Sequence, residues 1–578
     1  MKVKEQHLWF LGFTAVFAAL AGFVFWGTWS LDVAPVMPDD MIVHPMAYAD
    51  CWAKSLRKFL SSGKFIPSDI LWDGLLFSPY FCQELKYAFS LYCAGLGLAY
   101  FLRGRGLSPL ASCGAGLLLA FCGYWASLFS AGHGGWFVWM TYGVFAFGLS
   151  DRAVRKGKLR HWLLLGACTA WGSFYQADLW LLFTVLTGLY FVWCCVRERK
   201  FPWKGTLLAA AVFFAIGAPS FRSALVNDLA GRDRQIASGE TVSAASAKDE
   251  AEKRWIFVTN WSLPPDETAE FFIPRLNGDT SCPMTLSLGA RYGTGVKPYT
   301  GALGRPKDAP VGNYRQHSLY VGFVTCLLAL VGIAFVFVNA TSSPRLKKVD
   351  FDLGPDAARR RVYDVTFFAV AAILCWLFSM GRYCEPVYRV IFSLPFGDYL
   401  RAPVKWHHLT EFCICVLAGY GIDSLKGMLE RMLERRKEKG EGRKCGILVS
   451  LILGGVVLFG AFDLARTDRL YCAPVDLRRV RQTDSDMQMS VLRREDFANP
   501  QVAAMVKRGA VVSLASYLGN PDLYLVEVLT PRKPAKEPLP PWSAAAWLGC
   551  LSLLGSAVVV VSVAVAAVGP RCAQACTR

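Results

Sequence analysis

The sequence predicts an all-α polytopic membrane protein of about twelve transmembrane helices, with extracytoplasmic loops and a small α/β C-terminal extracytoplasmic segment. Three observations predict it. The 578 residues are 54% hydrophobic, 14% aromatic and only 18% charged, too apolar for a soluble chain of this size. Apolar windows close to the roughly 20 residues that cross hydrocarbon recur along the chain. The connections between them alternate between basic and non-basic, as sidedness in a membrane requires.

The windows lie near 8–30, 86–103, 109–130, 134–150, 161–177, 178–196, 205–222, 318–339, 364–381, 406–424, 446–464 and 543–569. The first is longer than a signal-peptide core and lacks a small-residue cleavage site, so it reads as a retained helix. With the N-terminus inside, the cytoplasmic connections are 103–106, 151–161, 197–204, 344–363, 426–444 and the tail from 571. All are basic: one carries Arg152, Arg155, Lys156, Lys158 and Arg160, another Arg435, Arg436, Lys437 and Lys439. The opposite short turns around His133 and Gln176 carry no Lys or Arg. This distribution accounts for the net charge of +18 and argues against nucleic acid as a partner, which would need a basic stripe or domain.

Four segments remain outside, at 31–85, 223–317, 382–405 and 465–542, rich in Pro, Gly and Trp. The chain divides into a transmembrane region with its loops (1–464), a small extracytoplasmic segment (465–542) and a last helix with its tail (543–578). Within 48–60, Trp52, Leu56 and Phe59 oppose Lys54, Arg57 and Lys58, the pattern of a helix lying in the interface. Residues 510–514 and 523–529 read as strands around a helical 499–507. No internal repeat relates two halves, which weakens a transporter reading. Most of the nineteen cysteines sit in apolar windows as small hydrophobes. In the outer loops Cys51 and Cys82 could form a disulfide, with free thiols as the simpler reading.

Candidate chemistry gathers at the outer ends of the windows. Asp39 and Asp40, in Pro38-Asp39-Asp40-Met41, stand close to the first window and read either as a general base or as a solvated turn. Arg222, Arg401 and Lys405 read as phosphate-binding cations or as snorkelling side chains. His407 and His408 offer a donor or proton relay. Glu411 and Asp178 are ionisable groups at membrane depth, where such groups are costly and often functional. No nucleotide-binding Gly-Lys loop, His-Glu-x-x-His, Gly-x-Ser-x-Gly or paired Cys-x-x-Cys site is present.

Four segments together resemble the YfhO-like family of bacterial membrane proteins, which belongs with the C-type (GT-C) glycosyltransferases. They are Asp40 with its amphipathic stretch; Thr259-Asn260-Trp261-Ser262-Leu263-Pro264-Pro265-Asp266-Glu267 running on to Ile273-Pro274-Arg275-Leu276-Asn277-Gly278; Ser318-Leu319-Tyr320-Val321-Gly322; and Leu400-Arg401-Ala402-Pro403 through Gly419-Tyr420-Gly421-Ile422-Asp423. The resemblance implies a GT-C-like scaffold in a bacterial inner (plasma) membrane, both termini cytoplasmic, that takes a sugar from a polyprenyl-phosphate donor to a cell-envelope glycan, lipid or protein. Asp40, with Asp39 as alternate, would be the base. Arg401, with Lys405 or Arg222, would neutralise the departing phosphate, and Glu267 and Glu270 would shape the acceptor side. No cofactor is fixed, and a divalent metal stays open. The alternatives are a lipid-linked glycan transporter or flippase and a non-catalytic envelope scaffold of the same fold.

Overall fold

A computed structural model describes residues 3–27, 33–34, 42–43, 56–64, 79–123, 125–126, 139–175, 177–228, 250–277, 319–341, 355–395, 397–437, 444–472, 475–476, 485–493, 498, 500–507, 511–517, 520–531 and 538–576. Helices α1 (Val3–Val24), α2 (Pro79–Gly104), α3 (Pro109–Ala120), α4 (Met140–Lys156), α5 (Leu159–Gly172), α6 (Ala177–Arg197) and α7 (Trp203–Ser223) form the first half. A short α8 (Glu250–Val258) is followed by α9 (Phe323–Thr341), α10 (Pro355–Ser379), a short α11 (Glu385–Phe392), α12 (His407–Lys437), α13 (Lys444–Tyr471), a short α14 (Pro500–Lys507) and α15 (Ala544–Cys576).

The chain is an α-helical membrane protein, but the expected count of about twelve spans is corrected. Among the described residues seven helices are long and apolar enough to cross a membrane: α1, α6, α7, α10, α12, α13 and α15. The other apolar windows also carry helices, and these are shorter or more polar. The twelve residues of α3 rise only about 18 Å, against a hydrocarbon core of about 30 Å. Ten of them are buried, so α3 meets protein on every side and its length is not set by lipid. The last turns of α4 carry Asp151, Arg152, Arg155 and Lys156.

Small residues let these helices approach closely, as lipid-embedded packing favours. A Cβ on Gly421 of α12 would lie 1.9 Å from the Leu328 carbonyl oxygen of α9, and one on Gly332 of α9 would lie 2.5 Å from that of Leu417. Gly95 of α2 and Gly116 of α3 cross in the same way. A buried aromatic knot of Phe101, Phe147, Phe183, Tyr190, Phe368 and Phe412 ties α2, α4, α6, α10 and α12 together. On the periphery α7 packs between α5 and α15, where Ser552 donates to the Ile216 carbonyl at 2.6 Å. The outward faces of α6, α7, α13 and α15 present Leu189, Leu207, Phe214, Phe459 and Val561, suited to lipid.

One end of the bundle is a charged clamp. Asp151 accepts from Arg105 at 2.7 Å and Arg197 at 2.8 Å and pairs with Arg155, while Asp364 accepts from Arg105 at 2.5 Å, Arg197 at 2.6 Å and the Tyr420 hydroxyl at 2.8 Å. Asp423 joins Arg361 and the Ser108 backbone N–H, each at 2.7 Å. The basic connections beginning at 103, 151 and 197 therefore meet at the same end.

The segment after α1 contributes β1 (Val33–Ala34) and β2 (Ile42–Val43), and the chain after α13 contributes β3 (Val475–Asp476), β4 (Ser485–Arg493), β5 (Val511–Tyr517) and β6 (Asn520–Pro531). β1 pairs antiparallel with β3, and a second sheet runs β2-β4-β6-β5, with Ile42 opposite Gln488 and Met489 opposite Glu527. The segment expected at 465–542 is thus not self-contained: α13 runs on to Tyr471, and the sheet takes its edge strand from the first loop. Of the amphipathic stretch, residues 56–62 are helical and pack on the start of α15, where Ser543 donates to the Leu60 carbonyl at 2.5 Å. Cys51 lies outside the described residues, while Cys384 and Cys472 are free thiols.

Candidate functional site

Two of the segments singled out in the sequence form one backbone unit at the end of the bundle away from the clamp. The Ala402 N–H donates to the Val258 carbonyl at 3.1 Å, Val404 N–H to Trp261 at 3.1 Å, and Leu263 N–H to Ser379 at 2.8 Å. The joint needs unusual backbone: Trp261 and Ala402 hold φ of 57° and 63°, and Pro264 and Pro265 start a 3₁₀ turn at Pro265–Phe271. Pro403 starts a second turn, Pro403–Trp406, that leads straight into α12.

Arg382 staples this unit, and the sequence reading missed it. Its side chain donates to the Thr259 carbonyl at 3.1 Å and to Asn260 Oδ1 at 3.2 Å, while its backbone N–H donates to Ser262 Oγ at 3.1 Å. Burial lowers its guanidinium to about 10, since these partners are dipoles rather than carboxylates. The only signal available was an Arg following a glycine just past an apolar window.

The predicted cations separate into distinct environments. Arg401 lies 4.3 Å from the Trp261 ring centroid and 4.5 Å from that of Phe257, a cation–π seat that holds the guanidinium beside the motif. Lys405 is buried and paired with the Asp178 carboxylate at the start of α6. Arg222 stands exposed on the last turn of α7. Asp39 and Asp40 lie outside the described residues; in sequence they fall between β1 and β2, both of which pair with strands that follow α13.

Beneath the motif lies a buried polar cluster. His407 packs on the Phe271 ring at 4.5 Å, its Nε2 is 3.6 Å from Glu411 Oε1, and His408 Nδ1 is 3.7 Å from Glu411 Oε2. Glu267 and Glu270 are buried on the 3₁₀ turn, and Glu270 accepts from the Asn277 N–H at 2.8 Å. Asp468 of α13, also missed, is fully buried within electrostatic reach of Glu411. It reads in the sequence as the solvated end of a window between Arg466 and Arg469. The overlooked signal is that it follows Ala461 and Leu464 on one buried helix face.

The third segment, Leu319 to Gly322, threads between these elements. Gly123 N–H donates to the Tyr320 carbonyl at 2.9 Å, Val321 N–H to Phe271 at 3.2 Å, and the Tyr320 hydroxyl bonds the Asp463 carboxylate. On the surface beside Arg401's unit, an open pocket of about 590 Å³ is lined by Ala251, Arg254, Phe392, Leu394, Pro395 and Asp398, with Arg254 and Asp398 paired at 3.0 Å. Among the described residues no group of three or more His, Cys, Asp or Glu could hold a metal ion. The site therefore offers aromatic-seated guanidinium groups, Arg401 on Trp261, Arg389 on Trp255 and Arg254 on Tyr399, with buried carboxylates and imidazoles and an open pocket at the same end of the bundle. No family model and no curated protein matches the chain.

Proposed function

We propose that the protein is a C-type membrane glycosyltransferase of the YfhO-like kind that moves a sugar from a polyprenyl-phosphate donor to a cell-envelope acceptor on the outer face of a bacterial inner membrane. The observation that supports this best is the backbone junction of the two most specific motif segments, Val258–Ala402 and Trp261–Val404, with Arg401 seated on Trp261. The junction lies opposite the basic clamp, which the positive-inside rule assigns to the cytoplasm.

In this reading Asp40, or Asp39, takes the proton from the acceptor hydroxyl. The hydroxyl oxygen bonds the anomeric carbon, the bond from that carbon to the phosphate oxygen breaks, and the lipid phosphate leaves with the electron pair. Arg401 neutralises that charge where it grows. Lys405, already matched by Asp178, fixes the start of α12 instead, and His407 with Glu411 and Glu267 supports the floor beneath. The pocket beside Arg254 gives the acceptor a way in.

The test is transfer of radiolabelled sugar from a panel of polyprenyl-phosphate sugars in membranes that carry the chain, beside Asp40→Asn and Asp39→Asn. Labelled product that one substitution removes is the expected result. Absence of product from every donor, with the protein folded, would overturn the reading in favour of transport or scaffolding.

A further inference from the structure

We propose that the α4–α5 and α6–α7 turns together hold the head group of an anionic phospholipid, whose acyl chains lie along the exposed apolar residues beside them. The site stands at the clamp end of the bundle, goes beyond sugar transfer and does not depend on it.

The two turns are fixed in shape and joined by packing. Gly157 closes α4 with φ of 62° and its N–H donates to the Ala153 carbonyl at 2.9 Å, so that Leu159 starts α5 at once. Arg199 takes φ of 49°, and the Lys200 N–H donates back to the Cys195 carbonyl at 2.9 Å. α5 packs against α7, and the rings of Trp162, Phe191 and Phe201 run from one turn toward the other with centroids 6.2 Å and 6.5 Å apart. Because α6 and α7 are both long and apolar enough to span, the turn that joins them lies at the membrane surface.

The carboxylates nearby are already taken. Asp151 and Asp364 are held by Arg105, Arg155 and Arg197, and Glu198 lies 3.1 Å from Arg197 and 3.8 Å from Arg360. Among the described residues Lys156, Lys158, Arg160, Arg199, Lys200 and Lys204 have no carboxylate partner. On the first turn, burial and then the fields of Arg152, Arg155, Lys158 and Arg160 lower the Lys156 ammonium, and an anion relieves such crowding. Beside these cations Leu159, Phe201, Trp203 and Leu207 are each more than half exposed, and Lys204 stands 5.5 Å over the Trp203 ring. Sidedness asks only that each connection be basic; it does not require cations from two connections to converge beside exposed rings. A free phosphate would use the cations alone, whereas a lipid uses the apolar strip as well.

The experiment is native mass spectrometry of the full-length protein released from detergent micelles. Phosphatidylglycerol and phosphatidylethanolamine of matched acyl chains are added in turn, with glycerol phosphate as a soluble competitor. Phosphatidylglycerol should bind about tenfold more tightly than phosphatidylethanolamine, and excess glycerol phosphate should not displace it. Lys158→Gln/Arg160→Gln and Lys200→Gln/Lys204→Gln should each weaken its binding by about tenfold or more. Arg435→Gln/Arg436→Gln removes the same charge from another basic connection and should leave binding unchanged. The two test pairs lie on separate turns, so either one that folds carries the result. Equal binding of the two lipids, displacement by glycerol phosphate, test pairs that bind like the wild type, or an equal loss in the control pair overturns the proposal.

Discussion

Lys405 and Asp178 stand 227 positions apart in sequence and neutralise each other inside the bundle. Lys405→Ala would strand a buried carboxylate, and about 3–5 kcal/mol of stability should be lost. The double variant Lys405→Met/Asp178→Asn should recover most of it, as read by thermal unfolding in detergent. Arg401 behaves differently, because its partners are ring faces. Arg401→Ala should leave the melting temperature within a few degrees of wild type and, under the proposed function, lower sugar transfer about 100-fold, the scale of losing one charge-stabilising donor. Equal loss of fold and activity would refute the assigned role. Both cations were visible in the sequence as residues of interest. What separated them, a carboxylate from another helix and an indole from another loop, depends on contacts between distant parts of the chain. Asp468 and Arg382 escaped notice for the same reason: an ionisable residue at the end of an apolar window looks solvated until its neighbours are known.

At the level of helices, the windows of apolar residues located the elements well, since hydrophobic length and periodicity are local properties. They did not reveal which helices face lipid. The twelve residues of α3 follow an apolar window as convincingly as α13 does, but α3 is enclosed by protein and needs no membrane-spanning length. The seam between α9 and α12 makes a sharper demand. Gly421→Val would drive side-chain carbons into the Leu328 carbonyl, so the variant should insert into the membrane but lose resistance to proteolysis in detergent. The charged clamp adds a pH dependence. Burial works to raise the Asp151 carboxyl, but Arg105, Arg155 and Arg197 outweigh it and hold the group below its ordinary value of 3.8. A carboxyl lowered on folding stabilises above its unfolded value and stops doing so as pH falls through the folded one. The melting temperature should therefore hold steady from neutral pH to about 5 and then fall. In Asp151→Asn that acid limb should be shallower.

For the molecule as a whole, the clamp and the motif junction lie at opposite ends, and this polarity is open to direct measurement. Lys158→Cys and Lys200→Cys, at exposed positions by the clamp, should react with a membrane-impermeant thiol reagent only in inside-out vesicles. Glu385→Cys, exposed at the start of α11, should react only in right-side-out vesicles. Labelling of all three from one side would refute the polarity. That basic connections gather at one end was legible from the sequence, because the placement of Lys and Arg is a property of single connections. The composite sheet was not legible, because two-residue strands such as β1 and β2 carry no periodic signal and exist only through their partners.

That sheet sets the timing of assembly. As the polypeptide emerges, the loop bearing Val33, Ala34, Ile42 and Val43 follows α1 directly, and the strands that complete it come only after α13. Closing so long an interval is slow, and an unpaired strand edge is open to wrong partners meanwhile. A nascent chain halted after α13 would have most of the described helices in place and the strands that follow α1 still without a mate. Full maturation of that loop would thus be a late checkpoint, passed only once β3 and β4 have followed α13.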